Sequence, residues 1–146
     1  MTHLGSVDLL IVEDNPDDLE LTLRALRKSK VKISIQTVKD GAEALDYLLG
    51  RGPYARHTPQ LPKVIVLDLK LPKVDGMEVL RQIKTSERTR AIPVVMLTSS
   101  QQDRDVIESY RLGVNSYVVK PVDFSQFAES IAQLGYYWLG LNHPNR

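Results

Sequence analysis

Val64-Ile65-Val66-Leu67 is an unbroken apolar run, mostly β-branched, and it stops at Asp68. A short run without alternation reads as a strand buried on both faces, the mark of a parallel sheet covered by helices. The same pattern lies on either side of it. Val7 to Val12 is apolar except for Asp8, and Pro93 to Leu97 and Ser116 to Val119 repeat the theme. Ile33 to Val38 alternates with polar residues and is the most polar of the five, as an edge strand would be. Helical periods fill the gaps. Leu19, Leu23 and Leu26 share one face, and Asn15-Pro16 offers a cap and a first-turn proline with Asp17 and Asp18 beside the positive helix end. Asp40 and Glu43 form a capping-box pattern for a helix over Gly41 to Leu49. Met77, Leu80 and Ile83 share a face, as do Val106 and Tyr110, and Phe124, Phe127, Ile131, Leu134 and Trp138 make the longest stripe. Five strands alternating with five helices predict right-handed βαβ units and a three-layer α/β domain.

Composition bounds the function. The 146 residues fit one domain, with a core expected over about 7–139. Nineteen basic residues against 18 acidic ones give no electrostatic footprint for nucleic acid. There is no cysteine, so neither a disulfide framework nor a thiolate metal site is expected. No apolar run approaches a membrane span and no signal peptide is visible, so a cytoplasmic protein is expected. His3, His57 and His143 are scattered and give no metal-site pattern.

In a parallel sheet, chemistry gathers outside the carboxyl ends of the strands. Those ends carry Glu13-Asp14, Asp68, Thr98-Ser99-Ser100 and Lys120-Pro121. Taken singly, each is ordinary: acids cap helices, hydroxyls fill loops and lysines are solvated. Together they would place three carboxylates, a hydroxyl cluster and an ammonium in one crevice. Carboxylates that close repel one another unless a cation intervenes, and Mg²⁺ or Mn²⁺ prefers such hard oxygens. A metal, an ammonium and a hydroxyl suit a dianionic phosphoryl group, and Asp68 at the centre could be its nucleophile.

The sequence resembles the receiver domain of two-component response regulators, from Val7 to Trp138. The pieces that carry the resemblance are Val12-Glu13-Asp14-Asn15, Val66-Leu67-Asp68-Leu69-Lys70-Leu71-Pro72 with Asp75-Gly76, Pro93 to Thr98, and Tyr117-Val118-Val119-Lys120-Pro121. It implies a flavodoxin-like (βα)5 sandwich with a parallel five-stranded sheet in the order 2-1-3-4-5. It implies Asp68 as the phosphoacceptor, and Asp14, Glu13 through water and the backbone carbonyl of Lys70 around the metal. Lys120 pairs with Asp68 and then with the phosphoryl oxygen, Thr98 is the switch hydroxyl, and Tyr117 is the aromatic that follows it inward. The Lys120-Pro121 bond is cis in relatives. The protein is expected to catalyse its own phosphoryl transfer and slow dephosphorylation without being a turnover enzyme.

Two features narrow the resemblance. A long connection runs from Gly50 to Lys63, in which Tyr54 could anchor the loop to the body, and the chain ends in an aromatic Tyr136-Tyr137-Trp138 segment. Both resemble the single-domain regulators that partner bacterial phytochromes and related sensor histidine kinases. That subgroup implies a homodimer through the face of the fourth helix, fifth strand and fifth helix. Residues after Pro121 suffice for one helix and a tail, so no output module is expected and signalling would pass through protein contacts. Lys70 and Ser100 sit where relatives tune the hydrolytic water. Three alternatives compete. An aspartyl-phosphate phosphatase would need an acid where Lys70 stands; a flavin binder would be repelled at its phosphate by Glu13-Asp14; an adaptor that is never phosphorylated would not need Asp14, Asp68, Thr98 and Lys120 together.

Overall fold

The apolar runs do become strands, and they lie side by side. In a computed structural model, which describes residues 7–28, 34–56 and 59–120, the order is β1 (Leu9–Val12), α1 (Pro16–Lys28), β2 (Ile35–Val38), α2 (Gly41–Leu49), β3 (Val64–Leu67), α3 (Gly76–Thr85), β4 (Val94–Thr98), α4 (Asp103–Leu112) and β5 (Ser116–Val119). The five strands are all parallel, in the order β2-β1-β3-β4-β5, as expected. The expected fifth helix, the aromatic tail, His3, His57, His143 and Pro121 lie outside the described residues.

The helix-start signals have counterparts in the structure. Asn15 Oδ1 accepts the amides of Asp17 and Asp18 at 2.9 and 3.0 Å and so starts α1. Asp40 Oδ1 accepts the amide of Glu43 at 2.7 Å, while the Glu43 carboxylate reaches back one residue further than a standard capping box, to the amide of Lys39. Asp75 caps α3 in the same way through Glu78. The long connection is fastened down. It contains a short 3₁₀ turn, Gly52–Tyr54, whose Tyr54 ring meets Tyr47 edge-on at 5.2 Å. Arg88 ties it to α2, donating to the carbonyl of Leu48 in that helix and to that of Pro59 in the connection.

The two-residue period of the strands sorts the core into two layers. Leu10, Val12, Ile65, Leu67, Val94 and Met96 face α2 and α3. Leu9, Ile11, Val64, Val66, Val95 and Leu97 face the other way, toward Leu19, Leu23 and Leu26 of α1. β1, β3 and β4 are buried along their whole length, which explains why their sequences do not alternate. α4 departs from a simple inward stripe: it buries Ser109 and leaves Ile107 and Tyr110 exposed.

Candidate functional site

Register brings the predicted residues together. Val12 pairs with Leu67, so the residues that follow them, Glu13 and Asp68, are neighbours. The ladder continues into the site: the Asp68 amide donates to the Val12 carbonyl at 3.2 Å and the Lys120 amide to the Thr98 carbonyl at 2.7 Å. The same period decides which way each side chain points. Glu13 continues the parity of Leu9 and Ile11, Asp68 that of Val64 and Val66, and Lys120 that of Val118, all members of the α1-side layer. Thr98 continues the parity of Met96, and Tyr117 packs with Met96 in the opposite layer. The site is therefore two clusters, one for each face of the sheet.

The first cluster is charged. Lys120 Nζ donates to Glu13 Oε1 at 2.7 Å, Asp68 Oδ2 at 2.9 Å and Asp18 Oδ2 at 3.0 Å. Its side chain is 14% exposed, against 4% for Glu13, 10% for Asp68 and 37% for Asp18. Burial disfavours the ammonium, but the hydrogen bonds to Glu13, Asp68 and Asp18 outweigh it and hold Lys120 charged to higher pH than a free lysine. For Glu13 the balance falls the other way: burial and the nearby Asp68 charge raise its pKa, and Lys120 only partly offsets them. Asp14 stands exposed beside them. One carboxylate oxygen from each of Glu13, Asp14 and Asp68 lies within 4.8 Å of the others, a hard-oxygen set suited to a divalent cation. The Lys70 amide donates to Asp68 Oδ1 at 3.2 Å and fixes the carboxylate from the other side.

Gly76 allows this packing. Its amide donates to the Leu69 carbonyl at 2.7 Å, and a Cβ there would lie 2.0 Å from the Asp68 carbonyl oxygen.

The second cluster is a chain of hydroxyls. Thr98 is fully buried, and its Oγ1 accepts the Ser100 amide at 3.3 Å. Tyr117 is half-buried against the core, and its hydroxyl donates to the Ser100 carbonyl at 3.0 Å. Ser100 Oγ donates to Asp105 Oδ2 on the first turn of α4 at 2.5 Å. Among the described residues no hydrogen bond joins the Thr98 hydroxyl to Asp68; the two clusters meet through the backbone bond of Lys120 to Thr98.

Sequence reasoning missed Asp18 and Asp105. Asp18 reads as a first-turn acid serving a helix end, and Asp105, in the first turn of α4, was not singled out. The helix pattern gave no signal for Asp18: Asp14 precedes α1, and whether Asp18 overlooks the crevice depends on how α1 lies over the sheet.

Comparison with known proteins agrees with this geometry. The response regulator receiver domain family matches residues 9–132. The chain is 46% identical over 134 residues to a probable methanogenesis regulatory protein, FilR2, of Methanothrix harundinacea (strain 6Ac), covering 92% of this chain and 84% of that one. Among solved structures it is similar to the bacteriophytochrome response regulator RtBRR, with TM-score 0.79 and 55% identity over 95% of this chain and 84% of that one. It is also similar to the phosphorylated cyanobacterial phytochrome response regulator RcpA (TM-score 0.80, 40% identity, 93% and 96% covered). A third is the Mn²⁺-bound form of Rcp1, a response regulator of Synechocystis (TM-score 0.78, 37% identity, 91% and 94% covered). No helix among the described residues is long and apolar enough to cross a membrane. With the sheet order, the acidic cluster and the family match in agreement, the chain belongs to the response regulator receiver domains of two-component signalling.

Proposed function

We propose that this receiver accepts a phosphoryl group on Asp68 from a sensor histidine kinase. The observation that carries the reading is the buried Asp68 carboxylate held between the Lys120 ammonium at 2.9 Å and the Lys70 amide at 3.2 Å. An Asp68 oxygen attacks phosphorus as the bond to the donor imidazole breaks; the imidazole leaves with the electron pair and Asp68 becomes an acyl phosphate. Lys120 moves a hydrogen bond from the carboxylate to a phosphoryl oxygen. Glu13, through water, with Asp14, Asp68 and the Lys70 carbonyl, would hold a divalent cation, Mg²⁺ or Mn²⁺, which neutralises charge on the transferring group when bound. The same residues then release phosphate slowly to water, so the protein signals rather than turns over substrate.

Thr98 is the proposed sensor of the new charge. To reach a phosphoryl oxygen, its hydroxyl gives up the Ser100 amide, and the loop that holds Tyr117 shifts with it. The α4–β5 face, where Ile107 is 63% and Tyr110 50% exposed, supports a dimer interface there together with the chain after β5. The relatives named for phytochromes make a phytochrome-type histidine kinase the proposed donor, acting in the cytoplasm, with output by protein contact.

The test is Phos-tag electrophoresis after incubation with acetyl phosphate and Mg²⁺, with size-exclusion chromatography on the same samples. A shifted band is expected in the wild type, and none in Asp68→Asn or with EDTA. A band that persists in Asp68→Asn would refute the assignment of the phosphoacceptor.

A further inference from the structure

Lys120 has no donor to spare. An ammonium offers three N–H groups, and here Glu13, Asp68 and Asp18 accept them at 2.7, 2.9 and 3.0 Å. A phosphoryl oxygen on Asp68 takes over the donor that Asp68 now holds, and the ammonium must move outward with it, so its contact to Glu13 or to Asp18 must yield. Glu13 cannot yield easily, because its side chain is 4% exposed and an unpaired charge there would be stranded away from water. Asp18 has the longest of the three contacts and a side chain 37% exposed, so water can replace Lys120 on it at the least cost. Its backbone is fixed by the amide bond to Asn15 Oδ1 at 3.0 Å, which keeps the carboxylate at the crevice whether or not Lys120 is bound.

We propose that Asp18 is a positioning residue that competes with the incoming phosphoryl group for Lys120. Its carboxylate restrains the lysine in the resting site and lowers the affinity of that site for phosphoryl donors. The inference rests on Asp68 as the phosphoacceptor and goes beyond it, because Asp18 neither receives the group nor is needed to hold a metal ion. Removing the carboxylate frees one N–H of Lys120 and takes one negative charge from the path of a dianion. Both changes favour binding.

Asp17 supplies the control. It is the adjacent acid on the same exposed helical turn, and its amide donates to the same Asn15 oxygen at 2.9 Å. Among the described residues it makes no contact with Lys120. Asp17→Asn therefore changes net charge as Asp18→Asn does without touching the lysine.

The experiment titrates the full chain with beryllofluoride, BeF₃⁻, an anionic mimic of the phosphoryl group that needs no phosphoryl donor, at saturating Mg²⁺, and follows binding by NMR. Asp18→Asn is expected to bind it about three- to fivefold more tightly than the wild type, and Asp17→Asn within a factor of about 1.5. With acetyl phosphate, half-saturation should fall in Asp18→Asn while the maximal rate holds, a split that loss of a merely structural residue would not give. Equal or weaker binding by Asp18→Asn, or equal tightening by Asp17→Asn, overturns the proposal. Failure of the wild type itself to bind beryllofluoride would instead sink the phosphoacceptor reading beneath it.

Discussion

The two clusters at the strand ends are built from different physics. On the α1 face, one ammonium holds three carboxylates at 2.7–3.0 Å. On the α3–α4 face, Thr98, Ser100, Tyr117 and Asp105 are linked by single hydrogen bonds, two of them to Ser100's backbone. The charged cluster is strong and already assembled, as a site that binds must be. The hydroxyl chain is made of contacts individually worth about 1 kcal/mol, which a new acceptor can outbid. The parity of the sheet thus separates the two clusters, and among the described residues the Lys120–Thr98 backbone bond links them.

The largest way to break that separation is Gly76→Ala. The added Cβ would stand 2.0 Å from the Asp68 carbonyl oxygen and 2.6 Å from the Leu69 Cα, and backbone on both sides cannot rotate away. A loss of about 3 kcal/mol or more is expected from urea denaturation, with the charged cluster distorted and the hydroxyl chain spared. A loss below about 1 kcal/mol would show that the β3–α3 loop gives more readily than this packing implies.

Lys120→Ala comes next and sharpens the view of the charged cluster. Removing the cation strands Glu13 and Asp68, at a cost of about 3 kcal/mol at neutral pH in EDTA. The sign of its pH dependence follows from Glu13. Burial and Asp68 raise the Glu13 pKa above its unfolded value, so the folded state takes up a proton first as pH falls, and the penalty of the ionised acid is relieved. Without Lys120 to offset them these effects grow, and the variant should gain on the wild type as pH falls from 7 to about 5. Lys120 itself has a raised pKa, so its contribution is fully present below the unfolded lysine value and is lost only as pH rises through the folded one. The difference between the two proteins should close at both ends of the pH range. A gap that widens on acidification would contradict the Glu13 assignment.

These two substitutions also mark what the sequence could and could not convey. Val64-Ile65-Val66-Leu67 ending on Asp68 specified a buried parallel strand with an acid at its tip, and the Val12–Leu67 register, a property of the folded sheet, makes Glu13 its neighbour. The strand ends could be read because the two-residue period is rigid. Asp18 could not, because its role depends on how α1 lies over the sheet, a tertiary fact that helix periodicity does not encode. Asp105 was hidden for the same reason: its partner, Ser100, lies in a loop whose path is set by packing. Tyr54 lay between these cases. An aromatic in a proline-rich connection suggested an anchor, and the edge-on contact with Tyr47 is that anchor, but nothing local announced that Arg88 would tie the loop at Pro59 to α2 at Leu48.

The smallest predicted effect tests the weaker cluster. Asp105→Ala removes the acceptor of the Ser100 hydroxyl at the start of α4 and should cost about 1 kcal/mol of stability, since Ser100 can turn to water. The informative change is at Tyr117. Its hydroxyl is held by the Ser100 carbonyl, and Ser100 is held by Asp105, so loosening the last link should let the ring sample a second rotamer. Fluorotyrosine NMR at Tyr117 would detect this as exchange broadening or a second resonance in the variant, with the Lys120 cluster and beryllofluoride affinity unchanged. If the Tyr117 resonance stays single and sharp, the ring is fixed by its packing against Met96 and its neighbours rather than by the hydroxyl chain. Response would then have to travel through the Thr98 backbone alone, and the division of the site into a binding half and a responding half would fall.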